Sequence, residues 1–179
     1  MINVCDKHFT EKDGNLVRDY FIKIAMKNPI IELIQDPSLL PFEMKQTNFT
    51  PGKGNALQIC ISVLFDIRNY DKIVPNFIED PKGYAFGITQ FLNTINYEMK
   101  KINLNKNTFD KDEIASVCQL PLLCMLRGKS PRGDHGHVIV AEIQSDLTFK
   151  PVFDPHPDNR MLDVNEHYGW MMVFYKTRN

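Results

Sequence analysis

Apolar residues recur at two different periods along this chain, and the change from one to the other divides it. Leu16, Val17, Tyr20, Phe21 and Ile24 recur at helical spacing, which predicts an amphipathic helix over about 15–27. Asn28-Pro29 joins a capping side chain to a first-turn proline and predicts a shorter helix running through Ile34. Pro37 and Pro41 then interrupt the chain. From Asn55 to about Ile67 almost every position is apolar: Leu57, Cys60, Ile61, Leu64 and Phe65 make one stripe, and Ile59 and Val63 fill the other side. A helix of that kind has to be enclosed by the rest of its domain. Ala85, Ile88, Leu92, Ile95 and Met99 predict a further helix over about 84–100.

After Pro121 the period shortens. Leu122 to Leu126, His137 to Ala141, Phe149 to Phe153 and Met171 to Tyr175 read as short strands. Turn-forming stretches separate them: Gly128 to Gly133, Gln144-Ser145-Asp146, and Asp154-Pro155-His156-Pro157. Helices first and strands second predict an α+β fold, with a buried helix on an antiparallel sheet. Without repeats, low-complexity stretches or a long linker, residues 1–179 are expected to form one domain, with 1–45 a helical N-terminal addition.

Composition narrows the function classes. The chain has 179 residues, 43% of them hydrophobic and 24% charged, as in an ordinary globular protein. Its 21 basic and 22 acidic residues leave a net charge of -1, which offers no electrostatic case for nucleic acid or an anionic membrane surface. No secretory leader and no membrane-length apolar run are evident, so a cytoplasmic protein is expected. Cys5, Cys60, Cys118 and Cys124 lack metal or disulfide spacing and read as reduced thiols. Asn48-Phe49-Thr50 fits a glycosylation sequon only by chance in that setting.

Three polar or small positions stand out. Ala56 opens the buried helix, after Gly54-Asn55, where unpaired N–H groups and the helix dipole favour an anion. A cysteine there would ionise readily, and alanine supplies nothing. His137 opens one strand and Asp154 ends the next, so antiparallel pairing would set them side by side, the carboxylate fixing the imidazole tautomer.

The segment Gly54-Asn55-Ala56-Leu57-Gln58-Ile59-Cys60, with Val74-Pro75-Asn76-Phe77, Gly128 to Asp134, His137 and Asp154-Pro155-His156-Pro157, resembles small bacterial and phage proteins similar to papain-like cysteine peptidases, whose motif reads Gly-Asn-Cys-x-Gln-x-Cys. The resemblance spans roughly 46–176. It implies a papain-like fold, a thiol hydrolase of peptide, isopeptide or other amide bonds, and no cofactor. It also implies a Cys-His-Asp triad with Ala56 at the nucleophile position, His137 as base, Asp154 as its orienter and Gln46 as an oxyanion donor. Ala56 then stands either for an engineered Cys-to-Ala change that traps substrate or for a natural loss that leaves a binding module. Asn55, Arg132, His135 and Trp170 are candidate substrate contacts, with a peptide, protein or small amide as partner.

Other readings stay open from the residues alone. Cys60, one turn beyond Ala56, is either a surrogate nucleophile or a packed, inert thiol. Arg132 and Lys129 either hold a carboxylate or phosphate or are solvated turn cations. His156 belongs to the Pro155-His156-Pro157 turn or lines the rim. His135-x-His137 and Asp154-x-His156 offer metal ligands, a third class of function, although Glu142 points to the opposite face from His137 on a straight strand.

Overall fold

The computed structural model describes residues 31–50 and 52–177. The chain divides into Met1–Ile30 and Ile31–Asn179, and the second unit is described here. The helix expected over 15–27, and residues 28–30 of the next, lie outside the described residues.

The central feature is helix α1 (Ala56–Leu64), whose residues from Leu57 to Leu64 are all buried. It packs on an antiparallel sheet of five strands, β1 (Tyr97–Asn103), β2 (Leu122–Lys129), β3 (Gly136–Ile143), β4 (Phe149–Phe153) and β5 (Trp170–Lys176). Their order across the sheet is β1-β5-β2-β3-β4. Helix α2 (Tyr70–Ile73), the longer α3 (Tyr84–Thr94) and the short α4 (Lys111–Ala115) complete the mixed α+β architecture. Among the described residues no helix is long and apolar enough to cross a membrane.

Both faces of the sheet are covered. Leu123 and Met125 of β2, Val138 and Val140 of β3, and Met172 and Phe174 of β5 pack into the cluster that contains α1. The alternate residues Cys124, Leu126, Ile139 and Ala141 join a second cluster with Ile114 of α4. Burial on both sides explains why these three inner strands read as unbroken apolar runs rather than as alternating ones.

Two expectations are corrected. Residues 31–45 are not α-helical: they run as irregular chain with a 3-10 turn at Pro37–Leu39 and a further turn at Phe42-Glu43. The N–H of Ile34 donates to the carbonyl of Leu64 at 2.8 Å, and Leu40 and Met44 enter the core, so this stretch is an integral part of the domain. The helix expected over 84–100 ends at Thr94, and the chain turns through Asn96 at φ 61 into β1. Asparagine tolerates this left-handed conformation, and the following residues pair with β5 from Tyr97↔Lys176 to Asn103↔Trp170. Ile95 and Met99 fall on the helical spacing only by coincidence.

Candidate functional site

Gly54 and Asn55 fix the start of the buried helix through a neighbouring loop. Asn55 does not cap its own helix. Its Oδ1 instead accepts from the backbone N–H groups of Thr47 and Asn48, at 3.1 and 3.0 Å, and its Nδ2 donates to Thr47 Oγ1 and Gln58 Oε1, both at 3.2 Å. Gln58 passes the connection on, donating to the carbonyl of Val74 at 2.6 Å. Gly54 lets the same loop close: a Cβ there would lie 3.1 Å from Gln46 Nε2 and 3.2 Å from the Asn48 carbonyl. The motif therefore staples segment 46–48 against the helix start. With no side chain capping α1, the N–H groups of its first turn and the positive end of its dipole remain at Ala56.

A cleft of about 590 Å³ opens there, with Ala56, Leu57, Gln46, His137, Arg132 and Trp170 among its walls. His137 and Asp154 meet at its edge: β4 pairs with β3 only as far as Val140↔Phe153, so the first residues of β3 are left to the loop that follows β4. His137 Nε2 donates to Asp154 Oδ1 at 2.7 Å, and both side chains are buried. A carboxylate only accepts, so the shared proton resides on Nε2, which in the neutral tautomer leaves the lone pair on Nδ1. Along α1, Cys60 lies against the carbonyl of Val138, at 3.7 Å, which brings the helix alongside His137's neighbour in β3.

Asp154 is saturated. Oδ1 also accepts from the His156 N–H at 2.8 Å, and Oδ2 accepts from Arg132 Nη2 at 2.6 Å and the Met161 N–H at 2.8 Å. Four donors occupy the positions where a carboxylate can accept, which suits it to orient an imidazole and leaves little for a metal ion. Among the described residues no group of three His, Cys, Asp or Glu side chains is gathered to hold a metal ion. Burial pushes the Asp154 carboxyl up, but the hydrogen bonds from His137, Arg132 and the His156 N–H outweigh it and hold the group below its ordinary value of 3.8. The stabilisation from charged Asp154 is therefore fully present above about pH 4 and lost as pH falls through the lower folded-state value. Urea midpoints are expected to fall more steeply between about pH 4 and pH 2 in the unaltered chain than in Asp154→Asn; parallel slopes would contradict this.

The other expected site residues fall into three groups. His135 and Trp170 line the cleft, Trp170 stacked on Tyr84 with ring centroids 5.8 Å apart. Arg132 also lines it, but its guanidinium is engaged by Asp154 and by Asp158, with Nε 3.0 Å from each Asp158 oxygen, so it is a structural cation of the Asp154 loop. Gln46 lines the cleft with its Nε2 donating to the Asn48 carbonyl at 2.6 Å and its Oε1 buried without a partner. Asn55 is corrected: it is buried with both polar atoms committed to the loop staple, and it is not a cleft wall.

Cys60 is fully buried, and burial pushes its thiol well above the ordinary range, the packed reading rather than the surrogate nucleophile. His156 belongs to the rim, its ring 5.0 Å from that of exposed Phe49 and its Nδ1 2.9 Å from Asp158. Sequence reasoning missed Arg127 and Tyr84 in the cleft and Asp158 as Arg132's partner. Arg127 alone left a trace, as a cation ending an apolar strand run. Comparison of the chain with family models, with curated proteins and with solved structures returns no match.

Proposed function

We propose that the cleft is the acyl-transfer site of a papain-like cysteine hydrolase with its nucleophile position occupied by Ala56. The observation that carries this reading is the buried His137–Asp154 pair sharing one cleft with a small residue at the uncapped start of a buried helix. With cysteine at that position, Nδ1 of His137 would take the thiol proton and later return it to the leaving amine. The thiolate would attack the amide carbonyl to give an acyl-enzyme, which water then releases. Asp154 would hold the imidazole, and N–H groups at the helix start would receive the oxyanion, with Gln46 offering its remaining amide proton. As the chain stands, it binds a peptide, isopeptide or other amide without an acyl step.

A second reading, a binding module on the same frame, is favoured by Ala56 itself, since the buried Cys60 thiol does not replace it. Alkylation of an Ala56→Cys variant by iodoacetamide, followed by intact mass, separates the two. An ordinary thiol of pKa near 8.5 is about 3% ionised at pH 7, so full activation gives a gain of about 30-fold. Fast single labelling that persists below about pH 7 and is slowed by His137→Ala is the expected result for a hydrolase frame. Slow labelling indifferent to His137 would leave only the binding module.

A further inference from the structure

The cleft holds a cation that none of the described residues neutralises. Arg127, near the end of β2, lies half-buried in the cleft wall, directly across from Val138 on β3 and Trp170 on β5. Among the described residues its guanidinium makes no hydrogen bond and no ion pair, unlike that of Arg132, which Asp154 and Asp158 neutralise. None of the described residues that line the cleft is Asp or Glu.

The position of Arg127 is built rather than incidental. A Cβ on Gly136 would overlap the guanidinium outright, with its carbon at 2.6 Å and Nε at 2.9 Å, and one on Gly169 would come within 3.3 Å of Nη1. Two glycines on the flanking chains thus leave a slot in which the planar group lies against the sheet. That slot opens into the same space as Ala56 and His137. A guanidinium held in one orientation presents paired N–H donors whose geometry matches a carboxylate bidentately. A half-desolvated charge left without a counterion also gains more from such a partner than a solvated surface arginine does.

We propose that Arg127, laid in its glycine slot, is the substrate-selecting group of the cleft and receives a carboxylate that the substrate carries close to the reacting amide. The assignment rests on reading the cleft as an amide-binding site, and it narrows the substrate to peptides or amides with an acidic group beside the bond.

Binding to the chain as it stands tests this without any turnover. The probes are acetyl-Ala-Ala-Glu-amide, its neutral isostere acetyl-Ala-Ala-Gln-amide, acetyl-Ala-Ala-Ala with a free C-terminal carboxylate, and inorganic phosphate, followed by titration of the backbone amide signals of Gly136 and Gly169. One of the two carboxylate peptides is expected to bind about tenfold more tightly than the neutral isostere, and which one it is identifies a side-chain or a terminal carboxylate. Arg127→Gln is expected to abolish the preference and Arg127→Lys to lose most of it, each with an otherwise unchanged amide spectrum that shows the fold is intact. Equal binding of all three peptides, a preference that survives Arg127→Gln, or binding of phosphate alone would each overturn the proposal.

A second readout separates its failure from failure of the hydrolase reading. In Ala56→Cys, the ratio of iodoacetate to iodoacetamide labelling rates, normalised to free cysteine, is expected to rise severalfold and to drop with Arg127→Gln. Fast labelling by iodoacetamide with no excess for the anionic reagent would reject Arg127's role alone. Slow labelling by both would reject the hydrolase frame, and the peptide titration would still decide whether Arg127 selects a carboxylate.

Discussion

Asp154→Ala is expected to lower the unfolding free energy by about 3–5 kcal/mol, the range found when one partner of a buried ion pair is removed. Asp154 has no exposed surface and receives four hydrogen bonds, two of them from the charged or chargeable side chains of Arg132 and His137. Its loss leaves Arg132 only Asp158 as a counterion, in a guanidinium that already has one buried nitrogen unpartnered. The N–H groups of His156 and Met161 lose their acceptor at the same time, and the loop after β4 loses what shapes it. Asp154→Asn keeps the volume, yet turns an amide donor toward one of the donors the carboxylate satisfied, so it should recover part of the loss at most. Urea unfolding would show the effect as a shifted midpoint with an unchanged slope. A loss under about 1 kcal/mol for Asp154→Ala would mean that water reaches these donors and that the His137–Asp154 pair is solvated in the folded protein.

The second large effect is expected at Asn55. Asn55→Ala removes two acceptor and two donor interactions of a side chain that is 5% exposed. A cost of about 2–3 kcal/mol follows from leaving the Thr47 and Asn48 N–H groups and the Gln58 Oε1 unsatisfied, softened where the exposed Thr47 finds water. Asn55→Asp retains an acceptor for the two N–H groups but has no donor for Gln58 or Thr47, so it should fall between the parent and the alanine variant. In both variants segment 46–48 is expected to loosen from the helix start, which faster amide exchange at Thr47 and Asn48 would report. Unchanged exchange with lost stability would show that Asn55 acts through packing alone.

What could be read in advance follows from how local the cause was. Helix α1 was legible because its apolar residues surround it, and β2, β3 and β5 because burial on both faces leaves unbroken apolar runs. The approach of His137 and Asp154 was legible from their positions at the start of one strand and the end of the next. β1 was not, for a physical reason: it is an edge strand, and Glu98, Lys100 and Lys101 give it the charge by which an exposed edge resists mispairing. Nothing local distinguishes that run from the polar side of a helix, and only pairing with β5 decides it. The other edge, β4, accommodates Pro151 for a related reason, since a missing N–H is harmless where no further strand follows.

The role of Asn55 was illegible in a different way. A polar side chain at a helix start serves its own first turn or a neighbouring loop, and the choice lies in the path of residues 46–48. Arg127 was missed because its slot is made by Gly136 at the start of β3 and Gly169 just before β5, a relation that no spacing along the chain expresses.

The position of β5 has a consequence for how the molecule comes into being. β5 lies between β1 and β2, although it follows both in the chain, and it joins them through Met99↔Phe174 and Met125↔Met172. During synthesis β2, β3 and β4 can form a meander as they emerge, while β1 must wait, its partner still unmade. The nascent chain therefore presents the open edge of the apolar strand β2 until residues 170–176 have left the ribosome, an interval in which that edge is exposed to chance pairing. The cleft is delayed with it, because Trp170 and the Gly169 wall of the arginine slot arrive at that same moment. A ribosome-bound chain short of residue 169 has its His137 and Asp154 but not yet the Trp170 side of the cleft, so the cleft is finished only as the sheet closes.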